Sequence, residues 1–318
     1  MKIVFFSESQ VSGKIPRDFS NARTEYAWMM ALDAPHYNIN NIPFQSEKFD
    51  LGIVIVPKTN PNVDLDSIRE ACDKVAVMQE GPHWYFQDYS VEQQFHYYNT
   101  LMGADWVYCH NESDVSYYLG LGCKDVRVMR SLMIPSGLTK RSETLVDSYG
   151  DLPSPKSYEK PKVMIGGNFV SWYGGFDSYM VAREIGYPIS APSMGRKHEQ
   201  EDSIEDIEYL PYMSWRDWIS TLGDYNIGVH LMRTHAAGTF AMNCAYHGIP
   251  CIGYKGLDTQ EILHPLTTVD IGDLEKAKDI ADKLKNNEKF YKLCNETINK
   301  RFNQNYTEEM WLKNWSKQ

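Results

Sequence analysis

Cysteine pairs of the form C-x-x-C are absent, and the six cysteines (Cys72, Cys109, Cys123, Cys244, Cys251, Cys294) lie far apart with no histidine at zinc spacing. That excludes the zinc modules readable from spacing and leaves reduced core cysteines. No apolar run approaches the ~18 residues that span a bilayer. The opening run Met1–Phe6 turns polar at Ser7-Glu8-Ser9, too short for the apolar centre of a signal peptide. A cytoplasmic protein with no membrane partner is expected. Also missing are G-x-G-x-x-G and the lysine-containing P-loop, which argues against dinucleotide and P-loop nucleoside triphosphate sites. There is no basic excess: 32 Lys+Arg against 42 Asp+Glu give a formal charge of −10. A polyanion partner therefore requires a local basic surface, because phosphate binding works through Lys and Arg.

What is present reads as a soluble globular chain of 318 residues, 42% hydrophobic and 23% charged. At roughly 100 to 200 residues per domain, two domains are expected. Strand and helix signals alternate through the first half. Lys2–Phe6 is a short apolar run, Asn21–Leu32 carries apolar residues at helical spacing, and Leu51–Val56 (LGIVIV) reads as a strand buried on both faces. Val75–Met78, Val91–Met102, Trp106–Cys109, Asp114–Leu121 and Val126–Met129 continue the series. The stretch around residues 142–161, with the run DSYGDLPSPKSYEKPK and its three prolines, is the best linker candidate.

Alternation then restarts with Val163–Ile165, Phe176–Ile185, Pro188–Ala191, an acidic loop Glu199–Glu208, a short strand Tyr209-Leu210, Trp215–Leu222, Ile227–Leu231, Thr239–Tyr246 and Cys251–Gly253, and ends in two charged amphipathic helices, Leu274–Asn286 and Glu288–Phe302. Strands alternating with helices imply parallel sheets. The fold class expected is α/β, two Rossmann-like lobes with a cleft between them, the place where open α/β sheets take ligands. The expected division is 1–150, 151–305, and a C-terminal helix over 306–318 that packs back on the first lobe.

Several phrases carry chemistry. Gly166-Gly167-Asn168, with Ser171 beyond, lies between a strand and a helix, where glycine lets backbone N–H groups approach a phosphate; the turn geometry alone also asks for glycine. Arg233, His235, Gly238 and Thr239 lead from a strand into a helix that Gly248-Ile249-Pro250 ends. This suits a nucleoside diphosphate, with Arg233 giving charge-assisted bonds and the Gly238–Thr239 amides facing phosphate, though an ordinary crossover reads the same way. Glu80, in Gln79-Glu80-Gly81-Pro82-His83-Trp84-Tyr85, is an acid just past a strand end, placed to act as general base; Asp18, His83 and His110 compete for that role. Asp64-Leu65-Asp66 matches a cation-binding D-x-D, yet reads better as a helix start whose acids suit the dipole. No metal ligand is assigned.

With those residues in place, the chain resembles glycosyltransferases of the GT-B architecture. Many members carry two glutamates eight apart around a glycine, then Gly-x-Pro. Here Gly238 and Gly248-Ile249-Pro250 are kept, while His235 and Asn243 replace the glutamates. A narrower resemblance is to the DNA β-glucosyltransferases of T-even bacteriophages. Ile165–Ser171 is similar to the phrase that opens their second lobe, and Glu80 matches the position of their catalytic aspartate.

The resemblance implies a nucleoside diphosphate sugar as donor, with a UDP-sugar as the leading form. Its binding residues would be Gly166, Gly167, Asn168, Ser171, Tyr212, Met213, Arg233, His235, Gly238, Thr239 and Asn243. Arg17, His83, Trp84 and His110 would take the acceptor, with Glu80 as catalytic base for a single displacement with inversion. A divalent Mg or Mn is compatible but not required. The leading acceptor is a hydroxymethylated pyrimidine in double-stranded phage DNA, flipped against Trp84, Tyr85 and Phe86 and held by a rim of Lys14, Arg17, Arg23, Arg127, Arg130, Lys140 and Arg141. The alternatives are a surface glycan, lipid-linked or small-molecule acceptor, and a non-catalytic two-lobed sugar-nucleotide-binding protein.

Overall fold

The computed structural model describes residues 1–42, 47–79, 81–138, 140, 161–170, 172–192 and 199–317. Contacts divide the chain into two units. One comprises Met1–Ile134, His235–Ala237 and Glu308–Gln318; the other comprises Pro135–Thr234 and Gly238–Thr307. The expected boundary at residue 150 and most of the proline-rich stretch fall outside the described residues.

The first unit is built on seven strands: β1 (Ile3–Ser7), β2 (Gly13–Lys14), β3 (Pro35–Asn38), β4 (Phe49–Ile55), β5 (Cys72–Met78), β6 (Trp106–Cys109) and β7 (Val126–Val128), in spatial order β2-β3-β1-β4-β5-β6-β7. All pairings are parallel except β2 with β3. Continuous burial of Leu51–Ile55 in β4 matches its apolar, β-branched run, the pattern of a strand covered on both faces. Val4, Phe6, Val54, Val75, Val77 and Val107 form its core with Leu101 and Tyr118 from the helices. Burying each such side chain contributes about 1.5–3 kcal/mol.

Helices follow from their sequence signals. Val91–Gly103 is capped by Ser90, whose side chain accepts from Gln93 N. Leu65–Ala71 is capped by Asp64, whose carboxylate accepts from Ser67 N, so the D-x-D acid is a helix cap. The C-terminal helix Glu308–Trp315 belongs to this unit. Trp311 Nε1 donates to Arg130 O at 2.8 Å, and Trp315 stacks on Tyr108 at 5.4 Å.

The second unit carries six parallel strands: β8 (Val163–Ile165), β9 (Ile189–Ala191), β10 (Ile207–Tyr209), β11 (Ile227–His230), β12 (Cys251–Tyr254) and β13 (Thr268–Val269), in order β10-β9-β8-β11-β12-β13. The expected helices at 176–185, 215–222, 239–246 and 274–286 are found within a residue of those bounds, and the last long one runs over Glu288–Asn305. The acidic stretch is not one loop: Glu199–Ser203 is a 3-10 turn and Ile207–Tyr209 a strand. Among the described residues no helix is long and apolar enough to cross a membrane.

Candidate functional site

In the second unit, β8 and β11 are neighbours, and the chain builds outward from them in opposite directions. That reversal is a topological switch point, and ligands of open α/β sheets sit outside the strand ends there. Two connections meet this requirement: Gly166–Asn168 after β8, and Leu231–Gly238 after β11.

The first connection is shaped by close packing. A Cβ on Gly166 would lie 2.5 Å from His230 Cγ and 2.7 Å from Phe240 Cδ1. Its N–H donates to Val229 O at 2.8 Å, so this amide belongs to the sheet and does not face an anion, contrary to the phosphate expectation at this position. Gly167 is crowded in the same way, with Tyr173 O 2.6 Å from where its Cβ would be. Asn168 is buried; its Oδ1 accepts from Val170 N, while its Nδ2 has no hydrogen-bond partner among the described residues. Glu201, from the acidic stretch, is buried and accepts from Phe169 N at 3.1 Å, fixing the turn. Ser171 lies outside the described residues.

The second connection holds a cation and a helix start. Arg233 is exposed, and its Nη2 donates to Asp177 Oδ2 at 3.0 Å; the same oxygen accepts from Tyr254 OH at 2.9 Å. Burial, then the bond to Asp177, pushes the Tyr254 hydroxyl up to about 12, so it stays a donor. Helix Thr239–Tyr246 begins after Gly238 at φ +63°, where a Cβ would lie 2.0 Å from Thr259 Oγ1. Thr259 Oγ1 donates to Gly238 O. Among the described residues no side chain caps this helix, so its first amides keep an attraction for anions.

Asn243 does not face this region as a ribose contact requires. It is 2% exposed, and in the amide orientation that satisfies its neighbours it donates to Thr239 O and accepts from Trp218 Nε1, each at 3.1 Å. Tyr212 is 86% exposed, and Met213 Sδ accepts from Thr221 Oγ1.

The first unit gathers a different chemistry. Asp114 Oδ1 stands 2.9 Å from His235 Nδ1 and 3.5 Å from His83 Nδ1. Asn111 Nδ2 donates to Asp114 Oδ2 at 2.9 Å and to Ala236 O at 3.1 Å. Burial raises the Asp114 carboxyl, but the facing His235, His83 and Asn111 side chains outweigh it and hold the group well below the ordinary aspartate range. The His83 ring packs on Tyr117 at 4.2 Å. Sequence reasoning placed His83 and His235 in separate roles and missed Asp114, which is 121 positions from His235.

The remaining expected acceptor residues are dispersed in role. Both terminal nitrogens of the Arg17 guanidinium, Nη1 and Nη2, donate to Glu308, at 2.6 and 2.7 Å, tying down the C-terminal helix. His110 is buried against Trp28, ring centroids 5.6 Å apart. Trp84 precedes the 3-10 turn Tyr85–Asp88. Glu80 lies outside the described residues.

The basic rim is largely engaged. Lys14 pairs with Asp33, Arg127 with Asp125 at 2.6 Å, and Arg130 with Glu112 at 3.3 Å, while Arg141 is outside the described residues. At the switch point of this sheet, beside β1 and β4, a cavity of about 600 Å³ is lined by Glu8, Asn40, Thr59, Asn60, Asp64 and Glu70 among others.

No protein-family model matches the chain, and no curated protein matches its sequence. Solved structures do match. Anabaena Alr3699/HepE in complex with UDP and glucose has a TM-score of 0.67 at 10% identity, covering 100% of this chain and 99% of that one. An α-glucosyltransferase in complex with UDP and a 13-mer DNA containing a HMU base has a TM-score of 0.61 at 13% identity, covering 100% and 98%. S. aureus TarM in complex with Fondaparinux, α-GlcNAc-glycerol and UDP has 0.60 at 10% identity, covering 84% of this chain and 54% of TarM, so the chain spans about half of that protein. These likenesses identify the fold as GT-B, with two Rossmann-like domains.

Proposed function

We propose that the protein is a glycosyltransferase that moves a sugar from a UDP-sugar to an acceptor hydroxyl. The observation that carries the reading is the β11-to-helix connection of the second unit. It presents Arg233, held by Asp177, and an uncapped helix N-terminus at Gly238–Thr239, all outside the carboxyl end of a switch-point strand. A guanidinium and converging amide N–H groups are what a leaving diphosphate needs, because they stabilise the charge that develops as the glycosidic bond breaks. Exposed Tyr212 supplies a face on which the uracil stacks. The three similar structures above were each solved with UDP.

Within this reading, Glu80 takes the acceptor proton as the hydroxyl attacks the anomeric carbon, a single displacement that inverts the centre. The acceptor is a hydroxymethylated pyrimidine in DNA. Support comes from the phage DNA β-glucosyltransferase resemblance around Ile165–Ser171 and Glu80, and from the full-length likeness to an α-glucosyltransferase bound to DNA.

A second reading, a neutral saccharide acceptor, is favoured by two observations. The rim cations Lys14, Arg17, Arg127 and Arg130 are paired with carboxylates, and Glu8, Asp64 and Glu70 line the first unit's cavity. Incubation with a panel of UDP-sugars and either hydroxymethylated DNA or oligosaccharides, read by product mass, tests both. A hexose or pentose added to DNA supports the first acceptor, and addition to the oligosaccharide alone supports the second. No transfer and no UDP release with any pair overturns the glycosyltransferase reading.

A further inference from the structure

His83, Asp114 and His235 each offer one ligand atom, and those atoms all lie within 4.8 Å of one another. We propose that these three side chains hold one divalent transition-metal ion of the zinc, cobalt or nickel type, through two imidazole nitrogens and one carboxylate oxygen. The reading above does not use this cluster, so the site is argued separately from sugar transfer.

Geometry comes first. Two atoms bonded to one zinc at about 2.0–2.2 Å are at most about 4.4 Å apart. Asp114 Oδ1 already stands 2.9 Å from His235 Nδ1 and 3.5 Å from His83 Nδ1. The longest separation in the cluster, at most 4.8 Å, closes by small rotations of two half-buried rings.

The surroundings are built for it. Asp114 is 5% exposed, and Asn111 Nδ2 occupies its other oxygen, Oδ2, leaving Oδ1 turned to both rings. Asn111 also donates to Ala236 O, next to His235, so one amide orients two of the three ligands in the manner of outer-shell support. Among the described residues His83 Nδ1 is buried with its nearest acceptor, Asp114 Oδ1, at 3.5 Å, too long for a good hydrogen bond, and a metal bond would satisfy it.

The donor set decides the metal class. Magnesium and calcium take oxygen ligands, while two imidazoles with a carboxylate suit zinc and its neighbours in the transition series. The Mg or Mn compatible with the sequence reading is therefore not the ion this cluster selects. Three protein ligands leave at least one position for water or a substrate oxygen.

The test is direct titration of metal-free protein, with Zn²⁺ followed by calorimetry and Co²⁺ by its visible absorption. One ion per chain is expected, with a rise in the thermal unfolding midpoint of the wild-type protein. His83→Ala and His235→Ala, at half-buried positions, should each weaken binding about tenfold or more and alter the cobalt spectrum. Asp114→Asn should do the same if it folds, and the two histidine variants decide the matter if it does not. Absence of stoichiometric binding overturns the site, as does affinity and spectrum unchanged in both histidine variants; the cluster is then a proton-sharing hydrogen-bonded group.

Discussion

Arg233 Nη2 and Asp177 Oδ2 lie 3.0 Å apart, and Tyr254 OH donates to the same oxygen. An exposed guanidinium is thus aimed by a carboxylate that is only 13% exposed. If Arg233 binds the diphosphate, Arg233→Ala should weaken UDP binding by about 10- to 100-fold, the range of one or two charge-assisted bonds. Asp177→Asn should cost less, roughly 3- to 10-fold, because it removes aim and not charge. Calorimetric titration with UDP measures both, and wild-type affinity in Arg233→Ala would remove the residue from the site.

Tyr212 provides a cleaner test of base stacking because it is 86% exposed. Tyr212→Ala should lower UDP affinity by about 2- to 10-fold, the scale of one aromatic contact. Its unfolding midpoint should stay with the wild type, since exposed substitutions usually change stability by less than about 0.5 kcal/mol. A large loss of stability with unchanged affinity would make the residue structural.

Gly13 and Gly238, two of the positive-φ glycines, should respond differently to alanine. Gly13 has φ +85° and no described atom within 4 Å of an added Cβ, so Gly13→Ala should cost about 1–2 kcal/mol of backbone strain alone. Gly238→Ala adds a Cβ only 2.0 Å from Thr259 Oγ1 and should cost more, with loss of the Thr259 bond to Gly238 O. Chemical denaturation of the two variants compares them; equal midpoints would contradict the packing account.

Buried imidazoles give stability a pH dependence. Burial pushes His230 and His264 down from about 6.5 to about 4, with a bond to Ala241 O working against the shift at His264. The unfolded chain then binds more protons than the folded one between those values, so stability falls as pH drops from 6.5 to 4. Each contributes roughly 3 kcal/mol that is complete above pH 6.5. Urea midpoints measured at pH 7.5 and pH 4.5 should differ markedly, and by less in His230→Gln.

Much of the fold was legible because burial on both faces writes itself as continuous apolar runs. Leu51–Val56 corresponds to β4, and Val163–Ile165, Trp215–Leu222 and Thr239–Tyr246 were read with their bounds. Strand β3, Pro35–Asn38, was not legible: PHYN has no apolar run and gains its strand character from pairing with β1. Nor was β13, two residues whose place comes from β12.

The site was half legible for a related reason. Arg233 and the Gly238 helix start announce themselves locally, but what surrounds them is set by distant chain. Asp177 reads as a helix first-turn acid until the fold sets it against Arg233. Glu201 sits in an acidic run that looks solvated and is instead buried under Phe169 N. Asn243 occupies the expected ribose position in sequence, yet its whole helix turns inward.

A crystal structure of the protein with UDP tests the central claim most directly. The account predicts the diphosphate within hydrogen-bond distance of the Arg233 guanidinium and of amides at Gly238 or Thr239, outside the ends of β8 and β11. UDP bound elsewhere, or those groups left without contact to the nucleotide, would contradict it.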